Sequence, residues 1–220
     1  MKPMLAALRW VPPFAQGYAH DHRVRWALEE AGIAYEVALV DRGGMDAEAY
    51  RAWQPFGQIP AYRDREVEIF ESGAIVLHIA KSSAALAPVD VGGYARVASW
   101  IFAALNTLEP AVRAYAQLDT FYAGQAWVEG YRPIAEDQLK RRLADLQRWL
   151  THREYLEGRF TAGDIVMSTV LRDLDDAAIL SKFPTLASYR ARCEARPAFA
   201  RAIDAQLKDY RENMPAQLEV

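Results

Sequence analysis

The first third of the chain alternates apolar runs of strand length with stretches of helical spacing. Strand-like runs cover residues 4–11, 33–40, 61–63 and 66–70. Apolar side chains at helical spacing cover residues 22–31, residues 46–53 and the stretch that starts at Ser72. Gly32 is the kind of residue that ends a helix, and Asp64-Arg65 is the expected turn of a hairpin. The predicted order of elements is therefore βαβαββα.

This order predicts an α+β, thioredoxin-like domain over residues 1–81, in which a crossover helix joins two parallel strands and an antiparallel pair completes the sheet. Small residues, Pro88 and Gly92-Gly93 predict a linker over residues 82–93. Beyond the linker, apolar residues at helical spacing cover residues 94–115, 134–150, 162–180 and 185–194. Residues 94–220 are therefore predicted to form an all-helical domain.

The charge balance and composition exclude several classes of partner. The chain of 220 residues carries 26 basic and 29 acidic side chains, which gives a net charge of −3. Such a balance has no electrostatic footprint for nucleic acid or for an anionic membrane surface. Hydrophobic residues make up 52% of the chain, which indicates a folded globular protein and argues against disorder.

A single cysteine, Cys193, limits the redox and metal chemistry of the chain. It excludes an intrachain disulfide framework and a multi-cysteine metal site, and its position in a late helical stretch predicts a buried thiol. The apolar run near the N-terminus is too short for a signal peptide, and no stretch approaches the ~20 apolar residues of a membrane-spanning helix. A cytoplasmic location is the resulting expectation.

Candidate binding chemistry begins in the stretch Gln54–Tyr62. Gly57 suits a turn with a positive φ, which glycine adopts without steric cost. Pro60 cannot donate a hydrogen bond to a strand ladder, so it is predicted at the start of a strand. This position leaves the N–H and C=O groups of Ile59 available to another partner.

A second candidate stretch, Phe70–Ile75, follows the predicted hairpin. Ser72 is predicted to be the N-cap of the helix that begins there. A helix N-terminus with a serine hydroxyl binds a carboxylate, and an adjacent acidic side chain such as Glu71 binds an ammonium group. The two stretches together therefore predict a site for a small zwitterionic ligand.

The order and spacing of these two stretches resemble the glutathione-binding segment of the cytosolic glutathione transferases. Further matching segments extend the resemblance over nearly the whole chain: Arg23–Gly32, Thr161–Asp164, Phe183–Leu186 and Arg196–Phe199. The resemblance implies the glutathione transferase fold, glutathione as a co-substrate, no metal and a homodimer.

The resemblance also implies individual ligand contacts. Ser72 would bind the γ-glutamyl carboxylate of glutathione, and Glu71 its amino group. Ile59 would make main-chain hydrogen bonds to the cysteinyl unit, next to a cis peptide bond at Pro60. Gln58 would add a side-chain contact with the peptide.

The group that stabilises the glutathione thiolate is expected between the first strand and the first helix. Counted back from Arg23, the hydroxyl or thiol of related classes falls near Tyr18 or Ala19, and the loop holds neither Ser nor Cys. The Tyr18 phenol is therefore the candidate donor to the thiolate, with simple aromatic packing as the alternative. If Tyr18 points away, the N–H groups of Ala19 and His20 could stabilise the thiolate, or the His20 ring could act as a base. The run His20-Asp21-His22 is predicted to be a polar helix start and not a metal site, because adjacent residues do not face one ion.

A second substrate site, for the electrophile, is expected between the two predicted domains, where ligands bind preferentially. Its candidate residues are Phe14, Trp100, Asn106 and Tyr115, with Tyr18 and Phe102 also in reach. Trp100 and Phe102 cannot both face one cleft, because residues two apart lie on different sides of a helix.

The predicted function is that of a bacterial-type glutathione transferase, which conjugates the glutathione thiolate to a small hydrophobic electrophile in detoxification. One alternative is a glutathione-dependent isomerase on the same fold. The other is a non-catalytic glutathione-transferase-like binding or scaffold protein, which the missing Ser or Cys near Tyr18 favours.

Overall fold

The structure is a computed structural model that describes residues 2–174 and 178–215. Contacts divide the chain into two compact units. The first unit runs up to Leu86 and also includes the chain from Arg196 onward, and the second unit is Ala87–Ala195. The domain boundaries at residues 81 and 94 stay predictions.

The first unit is built on a four-stranded sheet with the order β2-β1-β3-β4. Its strands are β1 (Met4–Leu8), β2 (Glu36–Val40), β3 (Ala61–Arg63) and β4 (Glu68–Phe70). β1 is parallel to β2, and β3 is antiparallel to both β1 and β4. The central strand β1 buries Leu5, Ala6 and Ala7 completely. This arrangement confirms the predicted thioredoxin-like sheet, with β1, β2 and β4 shorter than their predicted ranges.

Three helices of the first unit follow the strands in the predicted order. They are α1 (Asp21–Ala31), α2 (Glu48–Arg51) and α3 (Ser72–Lys81). Short 3-10 turns over Pro13–Ala15 and Gly43–Asp46 precede α1 and α2. As predicted, α1 ends at Gly32, whose φ of 66° lies in the left-handed region that favours glycine.

The C-terminal helix α9 (Pro197–Glu212) packs against α1 inside the first unit. The ring of Trp26 meets the ring of Phe199 edge to face, with 4.8 Å between their centroids. The preceding residue, Arg25, donates a 2.6 Å hydrogen bond from its guanidinium to Asp209, further along α9. The first unit is therefore completed by residues from the end of the chain.

The second unit confirms the prediction of a helical region after the linker. Its helices are α4 (Gly93–Phe102), α5 (Glu109–Thr120), α6 (Ala126–Leu150), α7 (Ala162–Arg172) and α8 (Pro184–Glu194), with a 3-10 turn over Leu180–Lys182. All residues of α7 from Ala162 to Leu171 are buried. The segment Thr161–Asp164, which matches the family pattern, forms a capping box in which Thr161 and Asp164 cap each other's backbone.

Three predicted helices differ from those observed in the second unit. The stretch predicted as one helix from Tyr94 to Tyr115 contains a π-helical segment, Ala103–Leu108, before α5. Pro110 explains the segment, because proline lacks the N–H of a regular turn and its ring would crowd the carbonyl group four residues earlier. Helix α6 begins eight residues before the predicted Ile134, with Pro133 inside it. The prediction of helix over residues 162–180 is wrong after Arg172, and residues 175–177 of that range lie outside the described residues.

Within residues 2–174 and 178–215, no helix combines the length and the apolar character that crossing a bilayer requires.

Candidate functional site

The hairpin of the first unit brings the two candidate stretches together. β3 pairs with β4 so that Ala61 lies opposite Phe70. The peptide Ile59-Pro60 comes just before Ala61, and Glu71-Ser72 comes just after Phe70. Both pairs therefore lie at the same end of the hairpin, beside the start of α3.

The loop before β3 presents the backbone of Ile59. The Ile59–Pro60 peptide bond is cis, and Gly57 has a φ of 60°, as predicted. The Tyr50 hydroxyl donates a 2.6 Å hydrogen bond to the carbonyl oxygen of Gln58, which anchors the loop at that residue. Among the described residues, neither the N–H nor the C=O group of Ile59 has a hydrogen-bond partner. The loop therefore offers one donor and one acceptor to a peptide-like ligand.

The Gln58 side chain is exposed, and it makes no hydrogen bond to any residue that the structure describes. Its backbone is anchored but its amide is not. A contact between this amide and a ligand stays a prediction.

Glu71 has a backbone conformation that is rare for a residue with a side chain. It is the N-cap of α3, with a φ of 70° and a ψ of 117°. A non-glycine residue held in such a region costs on the order of 1–3 kcal/mol, and such residues cluster at functional sites. The Glu71 side chain is exposed, and its carboxylate binds no other group within the described part of the chain.

The predicted N-cap role of Ser72 is wrong, because Ser72 is the first residue of α3 and Glu71 precedes it as the cap. Ser72 is 6% exposed, and its Oγ accepts a long hydrogen bond of 3.4 Å from the Arg23 guanidinium. With that lone pair engaged, the Ser72 O–H can donate to a ligand. The hydroxyl and the helix N-terminus still suit a carboxylate.

Arg23 is a site residue that sequence reasoning missed. It lies on α1 with 1% of its surface exposed, yet its guanidinium reaches the start of α3. In the sequence, Arg23 is notable only as part of the first helix's match to the family pattern. The sequence did contain a signal for this role, since Arg23 lies on the apolar side of a short helix and a buried arginine requires a partner.

The loop that contains Tyr18 is held at several backbone groups. The N–H of Tyr18 donates to the carbonyl oxygen of Ala15 at 3.1 Å, and the Tyr18 side chain is half-buried. The Ala19 carbonyl oxygen accepts from the N–H of His22 at 3.0 Å and lies 2.8 Å from the His22 ring Nδ1. His20 is the N-cap of α1. Within the residues described, the N–H of Ala19 has no hydrogen-bond partner.

Asp21 belongs to a buried ion-pair network. Its carboxylate accepts from Arg25 at 2.8 Å and from the Gln206 amide at 2.7 Å. Burial raises the pKa of Asp21, while the Arg25 charge and the hydrogen bonds act in the opposite direction. No group of three or more acidic, His or Cys side chains among the described residues has an arrangement that could hold a metal ion.

The electrophile-site candidates fall in different surroundings. Phe14 lies in a 3-10 turn of the first unit and is 64% exposed. In the second unit, Trp100 donates a 2.8 Å hydrogen bond to Glu157 and packs on Trp149, while Phe102 is exposed on another side of α4. Trp100 and Phe102 therefore have different surroundings, and which of them faces a substrate stays a prediction.

The remaining two candidates lie further along the helical unit. Asn106 lines a cavity of about 750 Å³ with Arg141, Arg142 and Arg148. Tyr115 packs on a cluster of Leu118, Val128 and Ala135. A shared electrophile site for these residues stays a prediction.

Cys193 is buried, as predicted, and burial raises the pKa of its thiol. A thiol in this state is a poor nucleophile.

A mixed sheet with a cis-proline loop and a helix start at one hairpin end defines a thioredoxin-like binding unit, here combined with a helical unit. Comparisons with known proteins agree with this class. The model of the family described as "Glutathione S-transferase, N-terminal domain" matches residues 16–81.

Individual relatives extend this likeness over most of the chain. Glutathione S-transferase 4 of Zea mays is 27% identical over 190 residues, covering 80% of this chain and 83% of the maize protein. The disulfide-bond oxidoreductase YfcG of Escherichia coli strain K12 is 25% identical over 211 residues, covering 88% of this chain and 95% of that protein. A glutathione transferase from Burkholderia graminis, solved with two glutathione molecules bound per subunit, has a TM-score of 0.80 and 23% identity, covering 93% of this chain and 88% of that chain. Residues 16–81 therefore match a glutathione S-transferase N-terminal domain, and most of the chain is similar to proteins named glutathione transferases.

Proposed function

We propose that this protein is a glutathione transferase, which conjugates the thiolate of glutathione to a small hydrophobic electrophile in detoxification chemistry. The observation that carries the proposal is the end of the hairpin, where the backbone groups of Ile59 lie beside Glu71 and the start of α3 and have no hydrogen-bond partner among the described residues. These groups are complementary to a peptide that carries an ammonium and a carboxylate at one end. Glutathione is such a peptide, and the maize and Burkholderia relatives are glutathione transferases.

In the proposed complex, each part of glutathione meets a different group. The γ-glutamyl ammonium binds the Glu71 carboxylate, and the γ-glutamyl carboxylate accepts from the Ser72 hydroxyl and from N–H groups at the start of α3. The cysteinyl backbone pairs with the N–H and C=O groups of Ile59. The Gln58 amide contacts the peptide from the exposed side of the loop. The thiol then lies near the loop that contains Tyr18.

The chemical step needs the thiol in its ionised form. The thiol loses its proton to water, and the thiolate attacks an electrophilic carbon, so that a C–S bond forms while the leaving group departs with its electron pair. A hydrogen bond from the Tyr18 hydroxyl, or from the N–H groups of Ala19 and His20, stabilises the thiolate and lowers the pKa of the bound thiol. A hydrophobic electrophile is proposed to bind near Phe14, Trp100, Asn106 and Tyr115.

The variant Tyr18→Phe tests this assignment, because it removes one hydroxyl and keeps the ring. We expect nearly unchanged glutathione affinity, slower conjugation of chlorodinitrobenzene and a higher pKa of the bound thiol, measured by thiolate absorbance against pH. The sign is fixed, since loss of a donor to the charged form raises the pKa. An unchanged titration and an unchanged rate would assign Tyr18 to packing and leave the backbone N–H groups and the His20 ring as candidates.

A non-catalytic glutathione-binding protein is the second candidate, and the absence of Ser and Cys from residues 14–22 favours it. For such a protein, the pKa of the thiol of bound glutathione would not be lower than the pKa of the thiol of free glutathione. A third candidate, reduction of disulfides, is favoured by the name of the Escherichia coli relative. It would use the sulfurs of two glutathione molecules, because the one protein thiol is buried. An isomerase is separated from a transferase by its product, which contains no glutathione.

The proposal includes a cytoplasmic homodimer. Sedimentation equilibrium at micromolar concentration tests the dimer, and a single species at the mass of one chain would contradict it.

A further inference from the structure

The C-terminal helix holds the loop that contains Tyr18 through one side chain, Gln206 on α9. Gln206 is completely buried. Its Oε1 accepts a 3.1 Å hydrogen bond from the N–H of Gly17. Its Nε2 donates to the Ala19 carbonyl oxygen at 3.0 Å and to Asp21 Oδ1 at 2.7 Å. One amide group therefore contacts the loop on both sides of Tyr18 and also the first residue of α1.

These three hydrogen bonds fix the orientation of the Gln206 amide. A primary amide has one acceptor oxygen and two N–H donors, and here the oxygen meets an N–H while both donors meet oxygens. The reversed amide would place its NH₂ group against the N–H of Gly17 and its oxygen against the Ala19 carbonyl. Since an unmatched buried polar group is costly, only the observed orientation is stable.

The hydrogen bond to Ala19 determines where the next backbone donor points. In a trans peptide, the C=O and N–H groups point in opposite directions. The Ala19 carbonyl points toward Gln206, so the N–H of His20, in the same peptide group, points away from α9. This N–H is one of the backbone donors proposed to face the glutathione sulfur.

The part of α9 around Gln206 is held against the rest of the first unit by two further contacts. Arg25 binds Asp21 at 2.8 Å and Asp209 at 2.6 Å, which ties α1 to α9 one turn from Gln206. Tyr210, on the same part of α9, packs against Leu8 and Val11 of the first unit and is buried. Its hydroxyl makes no hydrogen bond within the residues described, so it provides a packing contact without a polar one.

We propose that Gln206 is a positioning residue for thiolate stabilisation: it sets the direction of the Ala19–His20 peptide and holds the Tyr18 segment against α9. The inference rests on the proposed function for the identity of the ligand. Gln206 does not touch glutathione in this account. Its loss should therefore affect the ionisation of the bound thiol far more than the binding of the γ-glutamyl end at Glu71 and Ser72.

The test compares Gln206→Met with Tyr210→Phe. Methionine keeps the length and apolar bulk of glutamine but removes all three hydrogen bonds, whereas Tyr210→Phe removes a buried hydroxyl that makes no hydrogen bond among the described residues. For Gln206→Met we expect the pKa of bound glutathione to rise by about one unit and kcat to fall about tenfold, with KM for glutathione changed less than about threefold. Tyr210→Phe should match the unmodified protein in all three. Hydrogen exchange of the Gly17 amide should accelerate in Gln206→Met alone.

The outcomes separate the positioning role from the proposed function. Faster Gly17 exchange together with a higher thiol pKa supports the positioning role. An unchanged thiol pKa in a folded Gln206→Met protein, or equal effects of both variants, would overturn it. If Gln206→Met does not fold, Gln206→Asn replaces it, because the shorter side chain keeps a neutral amide but cannot reach all three partners at once; the same two outcomes apply. If the unmodified protein binds no glutathione, the proposed function is wrong, and Gly17 exchange still decides whether Gln206 holds the loop.

Discussion

The backbone conformation of Glu71 leads to a prediction in which stability and binding change in opposite directions. Its φ of 70° costs on the order of 1–3 kcal/mol for a residue with a Cβ, and glycine does not have this cost. Glycine loses about 0.5–1 kcal/mol more chain entropy on folding than alanine does. Glu71→Gly should therefore be more stable than Glu71→Ala by about 0.5–2 kcal/mol, or roughly 1–8 °C in Tm for a chain of this length.

Both variants lack the carboxylate, so both should bind glutathione more weakly than the unmodified protein, by about 1–3 kcal/mol. Thermal unfolding measures the first effect, and calorimetric titration with glutathione measures the second. Ala74→Gly is the matched control, because Ala74 is exposed on the same helix in regular conformation, and glycine there should destabilise the fold by about 0.5–1 kcal/mol.

Equal stability of Glu71→Ala and Glu71→Gly would refute the backbone strain. Retained glutathione affinity in both variants would refute the role of the Glu71 carboxylate.

Two further predictions concern stability. Burial acts to raise the pKa of Asp64, but hydrogen bonds from the N–H groups of Glu66 and Val67 and from His78 lower it to about 2. A pKa shift from 3.8 to about 2 corresponds to roughly 2 kcal/mol of stability, which is present above pH ~4 and is lost as the pH falls toward 2. The difference in unfolding free energy between the unmodified protein and Asp64→Asn should therefore become smaller over that pH range. A difference that does not change with pH would contradict this prediction. Asp164→Ala removes the acceptor of four buried donors, which are the N–H groups of Leu156 and Thr161 and the hydroxyls of Thr161 and Tyr189. It should cost about 3–5 kcal/mol in denaturant unfolding. The exposed Asp137→Ala on α6 should cost less than about 1 kcal/mol, and similar losses for both variants would refute the capping role.

Local patterns in the sequence were sufficient for much of the fold and for part of the site. The cis bond at Pro60 followed from the family resemblance, whereas the turn at Gly57 and the helix end at Gly32 depend on residues within a few positions of one another. Such features are determined by backbone preferences that each residue carries wherever it occurs. The strand order of the sheet followed from the order of the elements along the chain, because a βαβ unit followed by a hairpin can form only a few sheet topologies.

The contacts that sequence analysis missed are those between distant residues. Arg23 reaches Ser72 from a different helix, and Gln206 reaches Gly17 and Asp21 from the end of the chain. No local preference specifies such a pair, since the partner is determined by how helices pack. The π-helical segment before Pro110 was missed for another reason. It shifts the helical spacing of the apolar residues by only one position, so the sequence pattern still looks like one continuous helix.

Glutathione binding by the unmodified protein tests the central claim most directly. Calorimetric titration with reduced glutathione should show saturable binding, one molecule for each hairpin site. The same titration of Ser72→Ala should show affinity lower by about 1–3 kcal/mol, because a hydrogen bond to the ligand carboxylate is lost. The absence of measurable binding at millimolar glutathione would contradict the account and would favour a scaffold protein on the same fold.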